Sequence, residues 1–385
     1  MSYAQHRKII DADSHVIELD DFLQKAALKA DLPLLLPMNK QSVLPVDQKR
    51  HDRARVMYEQ RQADPSLTLP MEETILDNKK SGWERLGAFD PEERTRALNL
   101  FGYELQWVLP TFTFHQVAHL TDPVALEAGA RTLNKAMADF CRSDSRLLAI
   151  GYLPLSLGPA KALELMRQGF DDGCYSFMIP TTEPDNSKPS FTHPDFDEIW
   201  ALFSDRNVPF TCHVAADGGV SSVAESFRNN GKTLLELGGD APAGELGLLT
   251  IGNTVQIFLA AMIYDGVFER HSGLRCVSLE FGASWLPAWL KMLDFGTKLF
   301  SRKRKFDRDP ADIARERIKV APFGGEPVGW IMEQVGADML VYASDYPHPE
   351  GTSDPIGKFE ATMSNYTEAD FDLFYHGNMQ QLMGI

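Results

Sequence analysis

The sequence predicts a (β/α)8 barrel with insertions, on three observations. Eight short apolar runs recur along the 385 residues, at 9–14, 105–112, 147–153, 175–180, 208–213, 274–280, 318–322 and 339–344. Helical patterns alternate with most of them. Several runs end in side chains that bind metals: Asp13 and His15, His213, Glu280, and Asp345. An apolar run of four to six residues reads as a buried parallel strand, and alternation with helices gives βαβ units. Eight such strands close into a barrel whose chemistry gathers at the strand C-terminal ends, where these polar residues stand.

Taken in order, Ile9-Ile10-Asp11-Ala12-Asp13-Ser14 is the first strand, and Leu19 to Ala30 has helical periodicity. Residues from about 31 to 100 are polar and irregular, too long for a loop in a compact domain, and read as a helical insertion over one barrel face. Thr95 to Tyr103 is helical, and Leu105 to Phe112 is the second strand. Val124 to Cys141 is an amphipathic helix, followed by strand Leu147 to Leu153, helix Gly158 to Gly169, strand Tyr175 to Pro180, helix Phe196 to Arg206 and strand Val208 to His213. A second insertion, about 216–256, follows His213. With its flanking Ala215 it carries eight glycines, the composition of a lid or substrate-contacting loop. Strands at Leu274 to Glu280, Ile318 to Pro322 and Met339 to Ser344 complete the count, giving one domain over residues 1–385.

Composition narrows the function. With 38 basic and 54 acidic residues the net charge is −16, which disfavours nucleic acid and anionic membrane surfaces as partners. Four scattered cysteines, Cys141, Cys174, Cys212 and Cys276, form neither a disulfide framework nor a zinc cluster. No apolar stretch is expected to span a bilayer, and Met1 to Arg7 is polar, so a cytoplasmic location is the expectation. The expected partner is a small-molecule substrate, with a homodimer as the candidate assembly.

Asp13 and His15 lie two apart on one strand and share a face. Asp11, on the same face one step lower, reads as a carboxylate that orients the ligands without binding metal. With His213 and Asp345 they make two imidazoles and two carboxylates, a set suited to one divalent ion, Zn, Fe or Mn. Glu280 and His348 are the candidate ligands of a second ion and, with Asp345, the candidate catalytic groups. His115 and His119 are the next histidines that could reach the pocket, and Trp107, Phe112 and Phe114 suggest an apolar or aromatic substrate.

Three stretches carry a resemblance: Ile10-Asp11-Ala12-Asp13-Ser14-His15, the region from Gly266-Val267-Phe268-Glu269-Arg270 to Trp285-Leu286-Pro287, and Ser344-Asp345-Tyr346-Pro347-His348. They resemble the amidohydrolase superfamily, in the amidohydrolase 2 branch that includes aminocarboxymuconate-semialdehyde decarboxylase. The tail from Gly377 to Gly384 resembles the branch's closing Asn-rich helix. The resemblance implies that Asp13 and His15 hold the strand-one ligand positions, with Asp13 replacing the first His of His-x-His. It implies that His213 is the strand-five ligand, and that Asp345 is both ligand and acceptor of the water proton. Strand four lacks the Lys or Glu that bridges two metals, so one ion is implied. At strand six the branch places an acid/base His; counting back from Pro287, that position is Phe281, with Glu280 beside it. Neighbours on a strand face opposite ways, so both can face inward only if the strand end is twisted or bulged.

The expected activity is metal-dependent hydrolysis of an ester, lactone, amide or thioester by an activated water. The alternative is metal-dependent decarboxylation of an aromatic or dienoic carboxylate, disfavoured here by the missing strand-six His.

Overall fold

The protein, described from a computed structural model, is defined over residues 2–33, 45–76, 82–182, 188–215, 231, 244–349, 351 and 353–385. Among these residues seven parallel strands stand in sequence order: β1 (Ile10–Asp11), β2 (Leu105–Val108), β3 (Leu147–Tyr152), β4 (Ser176–Met178), β5 (Phe210–His213), β6 (Cys276–Leu279) and β7 (Ile318–Val320). The sheet curls on itself with helices outside, the α/β barrel architecture that the alternation predicts. Its strands are buried except at Leu105 and Leu148, which are half-buried, as a parallel sheet covered by helices requires. Cys212 and Cys276 lie inside β5 and β6, and all four cysteines are buried free thiols.

The eighth run does not form a regular strand, although its backbone closes the curl. Val341 N donates to Val320 O at 3.1 Å on the β7 side, and Ala12 N donates to Tyr342 O at 3.1 Å on the β1 side. Beyond Tyr342 the ladder to β1 is interrupted at Ser344 for a chemical reason, and it resumes past it with Asp345 N donating to Asp13 O at 3.0 Å and His15 N to Tyr346 O at 2.7 Å. The Ser344 amide donates to the Asp11 carboxylate at 2.8 Å, so a side chain takes the hydrogen bond a strand would use, and Asp345 turns left-handed with φ 54°. The second strand is also shorter than Leu105 to Phe112. Pro110 has no N–H to give, and the amides of Thr111 and Phe112 donate to the buried Glu18 carboxylate at 2.8 and 2.9 Å. A helix, Phe112–Ala118, begins there instead.

Helix boundaries follow local chemistry. Pro91–Phe101 starts with Asp90 accepting from the amides of Glu92 and Glu93, has proline at its first position, and stops at Gly102 with φ 75°. Pro123–Cys141 is capped by Asp122 and buries Leu126, Ala130, Leu133, Met137 and Cys141 against β3 and its neighbours. The described residues between β1 and β2 are largely helical, at Pro45–Ala63, Thr68–Glu73 and Pro91–Phe101. They enclose a small second core of Ile17, Ala54, Trp83, Ala88, Phe89 and Phe112. Most of the glycine-rich segment after His213 lies outside the described residues.

One expectation needs correcting. By length and composition Gly244–Tyr264 is apolar enough to cross a bilayer. In the fold it is two helices, Gly244–Thr250 and Asn253–Tyr264, the second burying Val255, Phe258, Leu259, Met262 and Ile263 in the core.

Candidate metal centre

The sequence-derived ligands come together at the C-terminal ends of the strands. His15 Nε2 is 3.3 Å from Asp13 Oδ1, 3.5 Å from Glu280 Oε1 and 3.8 Å from Asp345 Oδ1. His213 Nε2 is 3.7 Å from Asp13 Oδ2 and 3.5 Å from Glu280 Oε2. Two overlapping tetrads result, Asp13/His15/His213/Glu280 and His15/Glu280/Asp345/His348, each with its ligand atoms within 4.8 Å of one another. The sequence reading grouped Asp345 with Asp13, His15 and His213; in the structure Glu280 completes that group, and Asp345 joins His348 in the second.

Glu280 reaches inward because the chain leaves β6 in a left-handed conformation, φ 56° at Glu280. That twist lets Glu280 and Phe281 both line the cavity, which an extended strand forbids. Two of the carboxylates aimed at the centre, Glu280 and Asp345, therefore come from residues with positive φ, a strained conformation common at functional sites.

The imidazoles are fixed from behind. His15 Nδ1 bonds the Pro110 carbonyl at 3.3 Å and His213 Nδ1 the Val214 carbonyl at 2.9 Å. With Nδ1–H as donor, each Nε2 lone pair points into the cluster. Asp13 Oδ1, His15 Nε2 and His213 Nε2 are buried and have no hydrogen-bond partner. Buried carboxylates converging on unprotonated nitrogens are costly unless a cation joins them, so the donor set fits a divalent ion of the N/O-binding class.

Burial raises the Asp13 carboxyl above the usual carboxylate range against the opposing pull of His213 and His15. For His15, burial lowers basicity, yet the neighbouring carboxylates of Asp13 and Glu280 outweigh it and raise the imidazole well above its ordinary value, so a proton and a cation compete for the same nitrogen. Metal binding at such groups releases protons.

Other residues hold these ligands in place. Asp11 accepts from Ser344 N at 2.8 Å, Ser344 Oγ at 2.6 Å and Gln106 Nε2 at 2.8 Å, tying β1, β2 and the eighth run together. Burial lifts its carboxyl to about 7 despite the Ser344 and Gln106 hydrogen bonds. This is the orienting role read from the sequence. Arg94 and Glu18 were not foreseen. Arg94, fully buried, donates to the His15 carbonyl, to Ser14 Oγ at 3.3 Å, to Gln106 Oε1 at 3.2 Å and to Gly87 O at 2.7 Å. Glu18 anchors the turn at Thr111, whose hydroxyl lies 3.0 Å from His348 Nε2. The only signal was an Asp-x-His strand followed closely by another acid.

A cavity of about 900 Å3 opens over the cluster and includes Asp13, Glu280 and Asp345 in its wall. Its aromatic lining is Phe281, Trp285 and Phe323. Trp107, Phe112 and Phe114 are instead buried in the cores, and neither His115 nor His119 is among the described residues lining the cavity.

The amidohydrolase family model ("Amidohydro_2: Amidohydrolase") matches residues 10–384. The chain belongs to the amidohydrolase family. Solved structures agree on the fold. An amidohydrolase from Mycobacterium avium subsp. paratuberculosis K-10 is 19% identical, with 99% of this chain and 98% of that one covered and a TM-score of 0.70. A dihydroxybenzoic acid decarboxylase from Polaromonas sp. JS666, holding manganese and the inhibitor 2-nitroresorcinol, is 17% identical over 98% of this chain and 97% of that one, TM-score 0.64. The 5-carboxyvanillate decarboxylase of Sphingomonas paucimobilis is 16% identical over 98% and 99%, TM-score 0.61. This amidohydrolase is thus an enzyme of the amidohydrolase superfamily, and two of the solved structures that share its fold are named as decarboxylases, one of them holding manganese.

Proposed function

We propose that this amidohydrolase is a metal-dependent, non-oxidative decarboxylase of an aromatic or dienoic carboxylate. The observation that carries the reading is the placement of His348, with Nδ1 3.0 Å from Asp345 Oδ1 and 3.9 Å from Glu280 Oε1. An imidazole between two carboxylates can carry a proton to the cavity. The expectation of hydrolysis rested on strand six offering no histidine; His348, from the loop after the eighth run, supplies one at the cluster. The likeness in fold to proteins named as decarboxylases supports the lyase over the hydrolase.

Asp13, His15, His213 and Glu280 are the proposed ligands, with Asp345 adjoining them. The ion they would hold supplies positive charge that orients a substrate carboxylate and stabilises negative charge on a neighbouring oxygen. The protein's part is proton delivery. His348, oriented by Thr111 and Asp345, passes its proton to Asp345, whose carboxyl lines the cavity and delivers it to the carbon that bears the carboxylate. The carbon–carbon bond then breaks, its electron pair returns to the ring or diene, and carbon dioxide leaves. Asp345 stabilises the imidazolium before transfer, and Glu280 faces the same imidazole. Phe281, Trp285 and Phe323 exclude water around a flat apolar substrate.

The test is carbon dioxide release from a panel of hydroxybenzoates and dienoic acids by manganese- and zinc-loaded protein, beside esters, lactones, amides and thioesters. Release from the carboxylates supports the lyase, and turnover confined to the ester-type compounds contradicts it.

A further inference from the structure

The cavity says more about the substrate than the reacting carboxylate does. Its volume, about 900 Å3, lies near the top of the range of about 300–1,000 Å3 typical of sites for drug-sized ligands. A single-ring acid would leave most of it filled with water. Leu248, Leu249 and Ile251 extend the apolar wall beyond Phe281, Trp285 and Phe323. Leu248 and Leu249 are 53% and 78% exposed, a cost in water that a bound apolar group would remove.

Charge around this wall is one-sided. Asp13, Glu245, Glu280, Glu326 and Asp345 line it, and Lys358 is the only cationic side chain among the described lining residues. The Glu326 carboxylate is occupied by the amides of Ala283, Ser284 and Phe323, at 2.9, 2.7 and 2.7 Å. Lys358, by contrast, has no ion pair among the described residues, although it stands on the short helix Pro355–Glu360, which carries its own acid. Lys358 is an exposed cation on a flexible stem among the residues of the cavity wall, ten positions beyond His348 in the chain.

We infer that the substrate is an elongated amphiphilic acid with a second anionic group, which Lys358 binds. Its reacting carboxylate faces the cluster, and an apolar body larger than one ring lies along Phe281, Trp285, Phe323 and Leu249. This rests on the proposed reading of the site for the orientation of the reacting end; the apolar wall and Lys358 are independent of which bond breaks.

The experiment therefore reads binding and not turnover. The probes are 8-anilinonaphthalene-1-sulfonate, which has an apolar bicyclic body and one anionic group, and N-phenyl-1-naphthylamine, the same body without the charge. Both are titrated against the metal-loaded wild type and the variants Lys358→Gln, Lys358→Arg and Trp285→Phe. The sulfonate probe should take energy from Trp285, a signal reduced in Trp285→Phe. Lys358→Gln should weaken it about fivefold, the size of a partly exposed ion pair. Lys358→Arg should restore it, and the neutral probe should bind all three lysine-site proteins alike. Unchanged sulfonate affinity in Lys358→Gln, equal weakening of both probes, or no transfer from Trp285 would each overturn the inference. A protein that fails to release carbon dioxide but shows this selectivity would sink the proposed reaction and leave the substrate class standing.

Discussion

His348 Nδ1 lies 3.0 Å from Asp345 Oδ1 while its other ring nitrogen lies 3.0 Å from the Thr111 hydroxyl. The imidazole, fully buried and stacked on His15 with ring centroids 3.9 Å apart, is held from three sides. Such a ring has one orientation, which general acid catalysis requires.

Replacing it tests that role. His348→Gln keeps a hydrogen-bonding side chain of similar reach and removes the titratable nitrogen. Turnover should fall by about 10²–10⁴, with metal content measured by atomic absorption close to wild type. Thr111→Val should cost less, about tenfold, because the ring loses one restraint and not its proton.

Glu280 belongs to both tetrads, so its loss should be felt twice. Glu280→Gln is expected to lower metal affinity by about tenfold or more and turnover with it. Phe281→Leu, one residue on, should leave metal affinity unchanged and alter KM. Equal metal affinity in wild type and Glu280→Gln would remove Glu280 from the ligand set.

How much of this was legible in the sequence depends on the range of the forces involved. Strand positions and the candidate site residues Asp13, His15, His213 and Asp345 follow from local pattern, an apolar run ending in a donor, and the structure gathers these side chains into one pair of overlapping tetrads. The direction of Glu280 turns on the sign of one backbone angle, which composition does not reveal. The irregular eighth run depends on Asp11 capturing the Ser344 amide across 333 positions of chain. Arg94 looks like a surface residue of an amphipathic helix until the fold brings its guanidinium to the His15 carbonyl, Ser14 and Gln106. The cavity aromatics were misjudged for the same reason: Trp107, Phe112 and Phe114 fit a core as well as a pocket, and only packing separates them.

The region between β1 and β2 contributes to the site through close approach. A Cβ on Gly82 would stand 2.1 Å from the Pro347 carbonyl oxygen and 2.8 Å from the His348 carbonyl carbon. Gly82→Val must push the loop bearing Asp345 and His348. It should destabilise the fold by about 1–3 kcal/mol and reduce kcat more than it raises KM. Thermal unfolding and steady-state kinetics check both.

Arg94→Met, which preserves helix propensity, strips the His15 carbonyl and Ser14 hydroxyl of their donor. Each buried acceptor left unsatisfied costs about 1–3 kcal/mol. Urea unfolding should show a loss of this order, with weakened metal binding because His15 is no longer held at its backbone. Unchanged stability would mean that water replaces the guanidinium.

The most direct measurement follows isotopes through the reaction. With an active carboxylate substrate in deuterium oxide enriched in ¹⁸O, the account expects one deuterium at the carbon that bore the carboxylate, unlabelled carbon–oxygen bonds in the organic product, and one carbon dioxide per turnover. Solvent ¹⁸O built into the organic product, with no carbon dioxide and no deuterium on carbon, would contradict it and restore the hydrolase.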